Sequence, residues 1–199
     1  MSEPNLVAAQ ACEEALVTTL FQPWASRTVE VVKPMPGEVM LDLACGTGIG
    51  LRLKFPLVGV TGKIISVDND PAMLSVAKML FAKIDDKNKV RTEWFDCGAE
   101  FLSLKSNELD LCTLLQGLNF LSDPKKVLKG ALSALKPGGR VVGNAKGRIE
   151  ENKGQFAISS ALKKLGFQPV LKPFSLGSPA ILRDIFVESG FLIKKFYTE

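Results

Sequence analysis

Two carboxylates and three glycines carry the clearest chemical signal in this chain. They are Asp42, Gly46, Gly48 and Gly50 in the stretch LDLACGTGIG, and Asp68 at the end of KIISVD. An apolar strand that runs into glycines brings backbone close to a ligand, because a residue without Cβ tolerates both a tight turn and a close approach. A carboxylate ending the next strand, about 20 residues on, is placed to accept hydrogen bonds from ribose hydroxyls. The pair fits a nicotinamide dinucleotide and any other adenosine ligand equally well. A nucleoside triphosphate of the P-loop type is excluded, because no G-x-x-x-x-G-K-[ST] string occurs.

Two details separate the remaining ligands. A pyrophosphate is held by an uncluttered helix N-terminus, whereas IGLRLKF here reads as a short helix ended by Pro56. Asp42 lies inside the strand, and a buried carboxylate needs a partner. A ligand ammonium, directly or through water, would supply one, and NAD offers none. The chain has no histidine, so any proton transfer falls to a carboxylate, a lysine, the single Tyr197, a cysteine or water.

The elements that must position these residues follow from pattern. VMLDLA, KIISVD, VRTEWF, ELDLCTLL and RVVGNA read as strands. IGLRLKF, PAMLSVAKMLFAKI and DPKKVLKGALSAL read as helices between them, with Asp70 as N-cap before Pro71. That alternation predicts an α/β fold: a doubly wound, Rossmann-like, mostly parallel sheet with helices on both faces. Its ligand crevice lies beyond the strand carboxyl ends where strand order reverses, next to the glycine run. The N-terminus is expected to be an amphipathic helix with Leu6, Ala9, Cys12, Leu16 and Leu20 on one face, followed by a second helix at RTVEVV.

At 199 residues with 46% hydrophobic residues, the chain fits one globular domain. We read residues 1–35 as an N-terminal helical lid and 147–180 as a substrate-side insertion. The four cysteines form no C-x-x-C pair, so neither zinc nor a disulfide framework is indicated and a reducing cytoplasm is expected. No signal peptide or membrane span is read at the N-terminus. The net charge of +4 is a mild bias that solvated helix faces account for without a nucleic-acid site.

VMLDLACGTG, GKIISVDNDPAML, AEFL, LDLCTLLQGLNFLSDP and LKPGGRV follow one another as do the motifs of class I S-adenosylmethionine-dependent methyltransferases. The sequence most resembles the small-molecule branch that includes the ubiquinone and menaquinone C-methyltransferases, from about Phe21 to about Phe191. The resemblance implies S-adenosylmethionine as cofactor. Gly46, Thr47 and Gly48 would pass under its methionine and ribose, with Ala44 giving main-chain contacts and Asp42 reaching the methionyl ammonium through water. Asp68 would take the ribose hydroxyls, Asn69 and Met73 would line the adenine, and Leu115 and Gln116 would close the methionine end. Gly98 and Ala99 stand in the adenine loop, where relatives carry G-D-A-E; Gly98 replaces the Asp, and Asp96 falls two residues early. Gly50 is expected to be a helix residue outside the contact set.

The expected function is methyl transfer to a small organic acceptor, at carbon or oxygen rather than nitrogen. Its rivals are a non-catalytic cofactor-binding or assembly module and, behind that, an NAD-dependent oxidoreductase. Trp24, Gln116, Asn119 and Phe120 are substrate-side candidates, and Lys146 and Arg148 could meet an anionic acceptor. No catalytic residue is assigned and no metal is expected. The fourth strand ends LLQGLN rather than in a [DN]-P-P-[YF] motif, which disfavours a nucleic-acid amino group as acceptor. The antiparallel last strand of the family is not expected within this sequence. FLIKKFY is expected as a sixth strand beside the fifth, the alternative being a second copy covering an open edge.

Overall fold

The structure, a computed structural model, describes residues 5–84, 89–169 and 171–198. Five parallel strands form one sheet in the order β3-β2-β1-β4-β5. They are β1 (Val39–Leu43), β2 (Lys63–Asp68), β3 (Arg91–Asp96), β4 (Leu109–Leu115) and β5 (Leu135–Asn144). The helices are α1 (Leu6–Ala11), α2 (Gln22–Val32), α3 (Ile49–Val58), α4 (Pro71–Ala82), α5 (Pro124–Ala134), α6 (Lys153–Lys164) and α7 (Pro179–Glu188). The doubly wound, all-parallel arrangement agrees with the expected fold class, and strand order reverses between β1 and β4.

Alternation along the strands sorts the core onto two faces. Leu41, Leu43, Ile65, Val67, Cys112 and Leu114 pack with residues of α5 and α7. Met40, Ile64 and Leu111 pack with Val32 of α2 and Leu51, Phe55 and Val58 of α3. Asp42 shares this second face, with Ser66 and Thr113 as its register neighbours on β2 and β4. Arg140 of β5 donates to the carbonyls of Val32 and Lys33 and to the Glu38 carboxylate, which fastens the end of α2 to the sheet.

Several expectations need correction. Pro56 does not end α3; the missing amide falls in the last turn, and the helix stops at Gly59, whose φ is 66°. The N-terminal face is also different, because Cys12–Phe21 winds as a π-helix between α1 and α2. Ala9 is buried as expected, but the wider turn puts Val17 inward in place of Leu16, and Leu6 and Leu16 are each 45% exposed. RTVEVV is the second half of α2 rather than a separate helix. The first four residues of the expected lid lie outside the described residues, as does Val170 of the 147–180 segment.

The KPGG turn is absorbed into β5 as an irregularity, the register jumping from Leu109 opposite Leu135 to Leu111 opposite Arg140. FLIKKFY forms no sheet ladder among the described residues. Its rings turn to helices instead: Phe191 meets Phe186 of α7 edge-on at 6.1 Å, Phe196 lies under Arg183 of α7, and Tyr197 under Arg27 of α2. No antiparallel strand occurs among the described residues.

Asp70 caps α4 as expected, accepting from the amides of Ala72 and Met73. Asp70→Ala removes that cap and is expected to cost about 1 kcal/mol. Thermal unfolding should show it as a fall in Tm of roughly 2–4 °C for a domain of this size; an unchanged Tm would refute the capping role.

Candidate functional site

The turn after β1 is built on left-handed backbone. Ala44, Gly46 and Gly48 have φ of 52°, 56° and 84°. At Gly46 a Cβ would meet nothing within 4 Å, so this glycine serves the turn and faces open space. At Gly48 it would also lie 3.1 Å from the Ala77 Cβ, so the loop approaches α4 as closely as a bare backbone allows.

Asp68 braces this turn. Its Oδ2 accepts from the Gly46 amide at 2.8 Å and its Oδ1 from the Asp70 amide at 2.9 Å. Burial raises its pKa, and the amide hydrogen bonds from Asp70 and Gly46 only partly offset that. The Cys45 amide donates to the Val67 carbonyl, tying the turn to β2 as well. On the outer side, Arg52 of α3 donates to the Thr47 carbonyl at 2.6 Å and pairs with Glu13 at 2.5 Å, latching the π-helical segment onto the glycine turn. Burial lowers the Arg52 pKa, with Glu13 acting against it.

A cavity of about 430 Å³ opens between this turn and the loops after β3 and β4. That volume suits a nucleoside-sized ligand. Of the sequence-predicted residues, Ala44, Asp68, Asn69, Gly98 and Ala99 line it, together with the substrate-side candidate Phe120. Gly46, Thr47 and Gly48 form the turn beside it. Met73 lies in the first turn of α4, packed with Ala9, Ala72 and Val76 rather than on the cavity wall.

The loop with Gly98 in place of Asp has a physical reason. A Cβ there would come within 3.1 Å of the Phe101 ring and 3.2 Å of Glu100 Oε2. Those two side chains, which the sequence reading did not select, hold the cavity wall. Glu100 Oε1 accepts from the Ser122 amide and hydroxyl. Burial works against its charge, and these hydrogen bonds outweigh that and hold its pKa below the usual value. Asp96 ends β3 exposed and does not reach the cavity.

The partner of Asp42 is the largest surprise. Lys54 Nζ donates to Asp42 Oδ1 at 2.7 Å and to Thr113 Oγ1 at 2.6 Å, and Thr113 Oγ1 donates to the same Oδ1 at 2.7 Å. Asp42 and Lys54 are each 1% exposed. The ammonium expected from a ligand is thus already present from α3, while Asp42 Oδ2 stays buried with no partner among the described residues. The missed signal is that Lys54 sits on the inward stripe Leu51, Lys54, Phe55, Val58 of α3. Gly50 is indeed helical, yet its missing side chain matters: a Cβ would lie 2.8 Å from Leu115 Cδ1, 3.0 Å from Asp42 Oδ2 and 3.2 Å from Lys54 Nζ.

At the end of β4, Gln116 has φ of 57°, donates its amide to Asn144 Oδ1 at 2.7 Å, and buries an unpartnered Oε1. Asn144 Nδ2 donates to Thr28 Oγ1 of α2. Asn119, a substrate-side candidate, instead ties its turn to the Pro173 carbonyl at 2.8 Å. Trp24 is 37% exposed on α2. Lys146 lies between the Phe21 and Phe174 rings, at 5.9 and 5.6 Å, and burial lowers its pKa. A second cavity of about 440 Å³ is lined by Arg148, Lys172 and Phe174 among others.

The sequence model of the ubiE/COQ5 methyltransferase family matches residues 12–165. The demethylmenaquinone methyltransferase of Lactococcus lactis is 35% identical over 119 residues, covering 60% of this chain and 46% of that protein. The ubiquinone/menaquinone biosynthesis C-methyltransferase UbiE of Shewanella frigidimarina is 36% identical over 121 residues, covering 60% and 47%. The chain therefore spans about half the length of the curated relatives it matches. Among solved structures, a Methanococcus maripaludis chain described as a candidate S-adenosyl-L-methionine-dependent methyltransferase superposes with TM-score 0.67 at 16% identity. It covers 96% of this chain and 88% of its own.

Removing one member of a buried ion pair leaves the other uncompensated, at a cost of about 3–5 kcal/mol. Asp42→Ala is expected to lose that much in urea unfolding. The paired replacement Asp42→Leu/Lys54→Met should lose less than Asp42→Ala alone. Additive losses would show that the two side chains are not coupled.

Proposed function

The chain belongs to the ubiE/COQ5 methyltransferase family, and from that premise we propose that it binds S-adenosylmethionine and transfers its methyl group to a small organic acceptor at carbon or oxygen. One observation carries the reading. The cavity at the β1/β4 reversal is lined by the half-buried carboxylate of Asp68 and by Ala44 of the turn that Asp68 braces. A carboxylate in that place suits the ribose hydroxyls of that cofactor. When bound, S-adenosylmethionine supplies a methyl group already activated on a sulfonium, so no histidine or metal is needed for leaving-group chemistry.

The residues of this chain then have positional work. Asp68 accepts from the ribose hydroxyls. Ala44, Gly46, Thr47 and Gly48 offer backbone beneath the ligand, and Asn69, Gly98 and Ala99 border the base, with Met73 packed behind them. Leu115 and Gln116 close the methionine end. The π-helical segment held by Arg52 and Glu13, within the lid we assign to 1–35, shields the site from water and so strengthens the polar contacts inside it. Lys146 and Arg148, in the 147–180 insertion and at its edge, receive the anionic form of the acceptor, an enolate or phenolate that needs no further base.

No helix among the described residues is long and apolar enough to cross a membrane. The four cysteines are free, which suits the reducing cytoplasm we assign to the protein. The outer edge of β5, unpaired among the described residues, is where we place contact with a second copy; sedimentation that finds only monomer would remove that assignment.

Calorimetry with S-adenosylhomocysteine tests the core of the reading, and absence of heat would sink it. Binding without turnover of any phenolic or enolic acceptor would favour the non-catalytic module instead. Asp68→Ala loses both the hydroxyl contacts and the brace on Gly46, and affinity should fall about 10–100-fold. Deprotonating Lys146 removes a cation from the acceptor side. KM for an anionic acceptor should therefore climb as pH rises through a titration that burial places below the ordinary lysine value of 10.5. Lys146→Met should flatten that limb and raise KM about tenfold at neutral pH, with kcat changed less.

A further inference from the structure

The helix α6 is turned the opposite way from an ordinary surface helix. A helix on a globular domain puts its apolar stripe inward and its polar side toward water. The half-buried positions of α6 are Gln155, Ser159, Ser160 and Leu162. Gln155, Ser159 and Leu162 share one face by their i, i+4, i+7 spacing, so the inward side is largely polar. Ile158, Ala161 and Leu165 share the outward face, and Ile158 is 63% and Leu165 72% exposed. None of the residues of α6 is buried. Exposed apolar side chains recur just past the helix at Phe167 and Leu171.

The charges around this face have one sign. From Lys153 to Arg183 the sequence holds five cations and no Asp or Glu. Lys153, Lys163, Lys164 and Lys172 are exposed, and none of them makes an ion pair among the described residues. Lys153 and Lys164 stand about three turns apart on one side of α6, next to Ala161 and the apolar stripe.

That combination selects among occupants. A second copy packed through the same face would set its lysines against these, because a two-fold interface repeats the same patch on both sides, and like charges in an interface repel. An anionic bilayer accepts both parts of the face. Apolar side chains enter the acyl boundary, while lysine ammoniums reach the phosphates on their flexible stems.

We propose that α6 is a membrane-surface docking helix, which sets the protein on an anionic lipid bilayer through Ile158, Leu165 and Phe167 with lysines on the phosphates. The helix lies in the interface and does not cross it. The second cavity is walled by Leu171, Lys172 and Phe174 of the segment that follows, so docking brings it close to the lipid. This docking stands independently of the methyl-transfer reading.

Flotation of the full chain tests it, with vesicles of phosphatidylcholine alone and of equal parts phosphatidylcholine and phosphatidylglycerol. Binding should be about tenfold stronger to the anionic vesicles and should fall as salt is added. Lys163→Gln/Lys164→Gln should weaken it about tenfold or more, and Ile158→Ser/Leu165→Ser by a similar factor. Lys78→Gln/Lys83→Gln, on α4, removes the same net charge and should change binding by about twofold at most. In Leu165→Trp, emission should move to shorter wavelength when anionic vesicles are added, beyond any shift of Trp24 and Trp94.

No binding, or equal binding to both vesicles, overturns the inference, as does an α4 variant that loses as much as the α6 lysine pair. An unshifted Leu165→Trp emission overturns it as well, because adsorption by charge alone leaves that face in water. If the free protein is a dimer that Ile158→Ser/Leu165→Ser dissociates, the face belongs to a second copy and the inference falls. Should the serine pair fail to fold, the glutamine pair and the tryptophan variant carry the same decision.

Discussion

A carboxylate and an ammonium sealed from water must satisfy each other before the layers around them can close, and in this protein that pair joins three elements. Asp42 comes from β1, Lys54 from α3, and the hydroxyl between them from Thr113 of β4. Their contacts set α3 against the sheet at the point where strand order reverses. Gly50 is small because a side chain there would collide with both charges and with Leu115. The glycine turn precedes α3 directly, so its place over the cavity is inherited from the same pair. Thr47, 3% exposed, is held between the turn and the latch that Arg52 makes with Glu13.

A second constraint is stored in the backbone. Ala44 after β1 and Gln116 after β4 both take left-handed conformations without being glycine, each at a cost of roughly 1–3 kcal/mol. The two strained turns touch, for a Cβ on Gly117 would fall 2.5 Å from that of Ala44. Strain is tolerated where surrounding contacts overdetermine it: Asp68 braces the first turn and Asn144 the second. Two turns so held present main-chain groups toward one cavity, the form of preorganisation that ligand binding rewards.

Much of this was legible in the residues. Continuous apolar runs such as VMLDL announce strands buried on both faces, Asp-Pro pairs announce helix starts, and these were placed within a residue or two except for β5, which begins at Leu135, five residues before RVVGNA. Asp68 and the glycine turn were legible because their chemistry is local. Lys54 was not, since a lysine on a helix reads as solvated until the fold shows which way the helix turns. Pro56 misled because a proline in the last turn removes a hydrogen bond that the helix end can spare. The N-terminal face misled because a change in hydrogen-bond period leaves no mark in the apolar spacing. FLIKKFY has the alternation of a strand, yet its rings are claimed by Arg183 and Arg27 on neighbouring helices.

The side we propose for the acceptor was the least legible for a related reason: its residues come from segments far apart in the chain. Phe21 closes the π-helical segment, Lys146 follows β5, and Phe174 belongs to the turn Lys172–Phe174. Two hydrogen-bonded struts tie these segments toward the strand reversal. Thr28 of α2 meets Asn144, Asn144 meets Gln116, and Asn119 holds the Pro173 carbonyl. For methyl transfer the decisive requirement is collinear placement of acceptor atom, methyl carbon and sulfur, since intramolecular geometry supplies much of the barrier reduction. The Thr28–Asn144–Gln116 relay joins α2 and β5 to the turn after β4, so in the function we propose the alignment follows from the packing of the sheet rather than from any single reactive side chain.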